Sequence, residues 1–152
     1  MAKQKRRGTL ERLERRYALT QFGIPWPDPQ QLTFSFVPDG TRLADDQIGN
    51  ADGQASSLFA SFNDAAGASD RQAAIMQALQ TWAANANVNF ALVPDGGEPL
   101  GVPGLAQGDP RFGDIRIAAA PLSSDVVALG TPFSYAAGTL SGDIVFNSNF
   151  HF

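Results

Sequence analysis

At 152 residues, 43% of them hydrophobic and 17% charged, the chain has material for one globular domain and too little for two. It contains no cysteine, which excludes disulfides and thiolate metal sites, and no apolar run near 18 residues that would make a transmembrane helix. Residues 1 to 16 carry seven Lys or Arg against two Glu, whereas the rest carries four Arg against thirteen acids, so the body lacks the clustered cations of a nucleic-acid-binding surface.

Residues 1–30 read as a basic tail and a proline-rich linker, and residues 31–152 as one domain. In the tail, Lys3, Lys5, Arg6 and Arg7 precede Leu10, Leu13, Tyr17 and Leu19, with Glu11 and Glu14 interleaved. This spacing predicts a short, loosely held amphipathic helix, with a nucleic-acid arm or a membrane-surface helix as the alternatives. The stretch after the basic cluster is too polar for a secretory signal core. Ile24-Pro25-Trp26-Pro27-Asp28-Pro29 is extended, because each proline fixes its own φ and biases its predecessor. Leu32-Thr33-Phe34-Ser35-Phe36-Val37 alternates as a strand with Leu32, Phe34 and Phe36 on one face, and Pro38-Asp39-Gly40-Thr41 turns out of it.

Residues 42–68 are rich in Asp, Gly, Asn, Ser and Ala, with Leu58, Phe59 and Phe62 as apolar anchors and a short helical turn expected over 56–62. Asp45, Asp46, Asn50 and Asp52 lack the order of an EF-hand loop and read as a solvated loop. Ser69 followed by Gln72 is a capping-box pattern that predicts a helix over residues 70–86. Its stripe of Ile75, Met76, Leu79, Trp82, Ala83 and Ala86 is expected to face a sheet, and Asn85 and Asn87 close it. A strand over 88–93 follows, with Val88, Phe90 and Leu92 buried, and Pro94-Asp95-Gly96-Gly97 turns out of it. Residues 96–112, with five Gly and three Pro, form a loop. Strands are expected over 113–118 and 143–147, each introduced by Gly-Asp. A weaker one over 126–133, interrupted by Gly130 and Pro132, suits a sheet edge. The fold class is α/β, and the helix between the first two strands makes them parallel neighbours or nearly so.

In this order Leu32-Thr33-Phe34-Ser35-Phe36, Ala78-Leu79-Gln80-Thr81-Trp82, Val88-Asn89-Phe90, Gly113-Asp114-Ile115-Arg116-Ile117 and Gly142-Asp143-Ile144-Val145-Phe146-Asn147 resemble the upper part of a matrixin-type (metzincin) zinc metalloprotease domain, over roughly residues 31–149. The resemblance implies a twisted, mostly parallel sheet with an antiparallel edge strand and one backing helix. It also implies zinc-dependent hydrolysis of peptide bonds, a protein or peptide substrate and an extracellular location. Substrate would lie along the edge strand, here Val127, Ala128, Leu129 and Gly130. Calcium would take the carboxylate of Asp143, carbonyls of residues 138–142 and the carbonyl of Asp114. The residues alone also allow these aspartates merely to cap glycine turns. Structural zinc is not expected, because the positions that match its ligands are Val145 and one near Thr131.

The chain departs from that family in its chemistry. The family's His-Glu-x-x-His-x-x-Gly-x-x-His helix, which binds the catalytic zinc, has no counterpart in these residues, and the one histidine, His151, reads as a loop side chain. No catalytic residue carries over. The expectation is a portion of a longer protease whose zinc ligands lie elsewhere, or a degenerate relative. The alternative of a different class is a non-catalytic α/β domain that captures an extended peptide on its edge strand.

Overall fold

The computed structural model describes residues 23–44, 53–62 and 67–150. The expected tail helix, Asp45, Asp46, Asn50, Asp52 and His151 lie outside them. Five strands form one sheet: β1 (Leu32–Phe36), β2 (Phe90–Leu92), β3 (Ile115–Ala120), β4 (Ala128–Gly130) and β5 (Ile144–Asn147), in the spatial order β2-β1-β3-β5-β4. β1 is parallel to β2 and β3, and β3 to β5. β4 alone is antiparallel, with Ala128, Leu129 and Gly130 opposite Phe146, Val145 and Ile144. The mostly parallel α/β sheet with one antiparallel edge is therefore the fold, and β1 and β2 are the parallel neighbours that the intervening helix demands.

Period-2 alternation sorts the core into two layers. Phe34, Ile115, Ile117 and Ala119 face two helices, α1 (Leu58–Phe62) and α2 (Ala68–Ala86), and meet Leu58, Ile75, Met76 and Leu79. Val37, Ala118, Ala120 and Val145 face the opposite way and are covered by Leu43 and Leu100 from loops. β3 is buried along its whole length, as a central parallel strand covered on both faces must be. Its even-numbered side carries Arg116 into the loop-covered layer.

Several boundaries and faces differ from the sequence expectation. α2 begins at Ala68 behind Gly67, and no side chain caps it, so the Ser69–Gln72 capping box is not used. Asn87 ends the helix in the left-handed conformation, φ 51°, which asparagine tolerates better than most residues. Trp82 is 67% exposed and does not face the sheet. Nineteen residues make a helix about 28 Å long. The three residues of β2 run only about 10 Å beneath its second half. For the same reason β2 has no strongly buried face: Val88 and Phe90 are half-buried and Leu92 is exposed. β3 starts and ends two residues later than its Gly-Asp signal indicates, because Asp114 is occupied with hydrogen bonds to Thr33 and Gly108 before the ladder begins.

Substitution measurements separate these environments. Ile117→Ala should lower the unfolding free energy by about 2 to 5 kcal/mol in denaturant titration. Trp82→Ala should stay within about 0.5 kcal/mol of the parent, as expected for a surface site.

Candidate functional site

Among the described residues β4 is bonded along one side only. The Val127 carbonyl accepts from Asn147 N–H (2.9 Å), and Thr131 N–H donates to the Asp143 carbonyl (3.0 Å). In an antiparallel ladder the residues between these, Ala128 and Gly130, turn their N–H and C=O groups away from β5. Val127, Ala128 and Gly130 are exposed and Leu129 is half-buried. The four residues singled out from sequence thus sit together on one open edge. Asn147 fixes where that edge begins. Its Nδ2 donates to the carbonyls of Ser123 (2.9 Å) and Val126 (2.7 Å), and its Oδ1 accepts from the N–H groups of Leu122 and Asn149 (3.0 Å each). Past Gly130 the ladder closes, since Pro132 has no N–H and the Phe133 carbonyl accepts from Ile24 N–H (3.3 Å).

The two aspartates of the Gly-Asp signals have different fates. Asp114 accepts from Thr33 N–H (2.8 Å) and Thr33 Oγ1–H (2.9 Å) on Oδ2, and from Gly108 N–H on Oδ1, so its carboxylate ties β1 to the loop before β3. Asp143 is 1% exposed; its Oδ1 accepts from Arg116 N–H (2.9 Å), and its Oδ2 has no hydrogen-bond partner among the described residues. Burial pushes its carboxyl up to about 7, against the opposing pull of the Arg116 N–H and guanidinium. Of the pair, Asp143 keeps a carboxylate oxygen that a cation could use. Among the described residues no three His, Cys, Asp or Glu side chains come together as a metal-binding group.

Sequence reasoning passed over the most heavily bonded polar group. The guanidinium of Arg116, fully buried, grips Asp95 through Nε–Oδ2 (2.9 Å) and Nη2–Oδ1 (2.8 Å), donates to the carbonyls of Glu98 (2.7 Å) and Pro99 (3.3 Å), and stacks 4.3 Å from the Phe112 ring centroid. Asp95, whose side chain is 1% exposed, also accepts from Ser35 Oγ (2.7 Å) and Gly97 N–H (2.9 Å). The available signal was the cation in the middle of the Ile115-Arg116-Ile117 strand pattern, which requires a buried carboxylate somewhere.

Asp143 gives the domain a pH dependence whose sign is fixed. Below about pH 4 the carboxyl is neutral in both folded and unfolded chains. Between there and about pH 7 only the unfolded chain releases the proton, so stability falls as pH rises, and above 7 the cost of the buried charge is complete. Denaturant titrations at pH 5 and pH 8 should differ by about 2 to 4 kcal/mol from this group. Asp143→Asn, which keeps the acceptor for Arg116 N–H, should remove that difference. No protein-family model matches the chain, and neither the curated proteins nor the solved structures contain a detectable match to it.

Proposed function

We propose that this domain is the sheet-bearing portion of a matrixin-like zinc-dependent metalloendopeptidase, acting outside the cell, in which β4 aligns an extended protein or peptide substrate. The observation that carries the reading is the open outer edge of β4, an antiparallel strand beside four parallel ones, with α2 connecting β1 to β2. The N–H and C=O groups of Ala128 and Gly130 can accept a further strand, which holds a scissile bond in one register and direction. The zinc would supply water activation from ligands that none of the described residues provides. The same edge supports the alternative reading, a non-catalytic peptide-binding domain.

Calcium is proposed at Asp143, whose Oδ2 is the buried, unpartnered carboxylate oxygen. A cation there would compete with the proton that burial places on this carboxyl. Millimolar calcium added to chelated protein should therefore raise the melting temperature more at pH 8 than at pH 5.5, with no rise in Asp143→Asn. Equal melting curves with and without calcium at pH 8 would remove the site.

A peptidase assay separates the two functional readings. Residues 1–152 supplied with zinc should cut no peptide, whereas a polypeptide that continues into a His-Glu-x-x-His helix should cut, and Ala128→Pro should slow that cleavage at least ten-fold. The substitution removes an outward N–H and no bond to β5. Zinc-dependent cleavage by residues 1–152 alone would overturn the assignment of the chemistry to a separate helix. A continuation without histidines, combined with peptide binding that Ala128→Pro abolishes, would establish the binding domain instead.

A further inference from the structure

Two residues beyond the point where the β4 ladder closes, Phe133 and Tyr135 enter the wall of a cavity of about 580 Å3. The opposite wall is Pro27 and Asp28 from the linker and the loop around Leu105 and Gln107. Within that wall, linker and loop are fastened to each other: Gln107 Nε2 donates to the Asp28 carbonyl (2.7 Å) and Gln107 Oε1 accepts from Asp28 N–H (3.0 Å). The loop is held in turn by Asp114, which accepts from Gly108 N–H. At Gly104 an added Cβ would lie 2.3 Å from Asp109 Oδ2 and 2.4 Å from Arg111 Nη2, so a larger residue there would displace this ion pair.

Inside the cavity the chemistry is that of a cation site. Asp28 precedes the 3-10 turn Pro29–Gln31 without capping it. Its Oδ2 accepts from Gln31 Nε2 (2.6 Å), and its Oδ1 has no hydrogen-bond partner among the described residues. Tyr135, which lines the same cavity, is 70% exposed and edge-to-face with Phe133 at 5.3 Å, and Phe133 in turn packs at 4.4 Å, tilted by 40°, on Trp26. A carboxylate and an anchored, accessible aromatic ring lining one cavity are the two groups that a planar guanidinium can use together, since Arg stacks on rings and meets carboxylates in one geometry. The long-range field agrees, because residues 17–152 carry thirteen acids against four Arg.

We propose that the cavity between Asp28 and Tyr135 binds the arginine side chain of an extended peptide whose backbone lies on β4. A peptide antiparallel to β4 runs its N-terminal side towards Phe133. Because the ladder is closed at Pro132 and Phe133, only a long side chain passes beyond it. The site thus selects arginine on the N-terminal side of the segment paired with Ala128 and Gly130. The placement rests on the β4 reading, while the cavity's preference for a guanidinium does not.

The test uses the full chain and two probes. N-acetyl-arginine methylamide, titrated while amide resonances are followed, should shift Leu105, Gln107, Gly108 and Tyr135. The citrulline counterpart, equal in shape and uncharged, should leave them in place. Asp28→Asn, which keeps the acceptor for Gln31, should weaken arginine binding about ten-fold, and 0.5 M salt should weaken it in the parent protein. Equal response to arginine and citrulline, or none to either, overturns the proposal. Peptides with arginine or citrulline three residues before the β4-paired segment then test the placement, with arginine expected to bind about ten-fold tighter. Peptide binding with no arginine preference removes the cavity and leaves the β4 reading standing. Response to arginine methylamide with no peptide binding removes the β4 reading and leaves the cavity.

Discussion

The pair of Arg116 and Asp95 is the constraint around which the loop-covered layer of the domain is organised. A guanidinium from the central strand is tolerable in a sheet interior only when its charge and nitrogens are met, and here each nitrogen is bonded, by Asp95, Glu98 and Pro99, with the Phe112 ring against its face. The bond set reaches three parts of the chain, because Asp95 also accepts from Ser35 in β1 and Gly97 in the loop. That loop is held down by Leu100 and Phe112, both buried, and by the buried charge. Losing one partner of the pair would strand the other in a low-dielectric site, a loss of about 3 to 5 kcal/mol.

Burial is the main reason that Asp143 resists ionisation, and the same pair explains why so little offsets it. Arg116 is the nearest cation to it, but the guanidinium charge is largely spent on Asp95, and Asp95 itself opposes a second negative charge nearby. What remains for Asp143 is one backbone N–H. A carboxyl with so little compensation is poised for a proton or a cation, and the fold keeps it in that condition by committing Arg116 elsewhere.

Much of the sheet was legible in the sequence because its signals are local. Alternation marked β1, Gly-Asp turns marked the approaches to β3 and β5, and Gly130 with Pro132 marked β4 as an edge. The short helical turn over 56–62 and the parallel pairing of β1 with β2 followed equally from local pattern and chain reversal. What failed was non-local. The stripe on α2 includes Trp82 by periodicity, yet whether a stripe is covered depends on how far the strands beneath it extend. The capping box at Ser69 lost to a start two residues earlier behind Gly67. The partnership of Arg116 with Asp95, 21 residues apart, and the meeting of Asp28 with Tyr135 across the cavity leave no periodic trace at all.

Asn147 has a consequence for how the edge opens. One side chain holds the approach to β4 through Ser123, Val126 and Leu122, and the exit of β5 through Asn149. A three-residue strand at a sheet margin would ordinarily fray independently of its neighbour, with rapid hydrogen exchange. Here release of the strand's leading end requires three hydrogen bonds on a buried amide to break together, so β4 and β5 form a single opening unit. The rim of the sheet is accordingly a rigid rail, and the entropy of ordering it is spent when the domain folds.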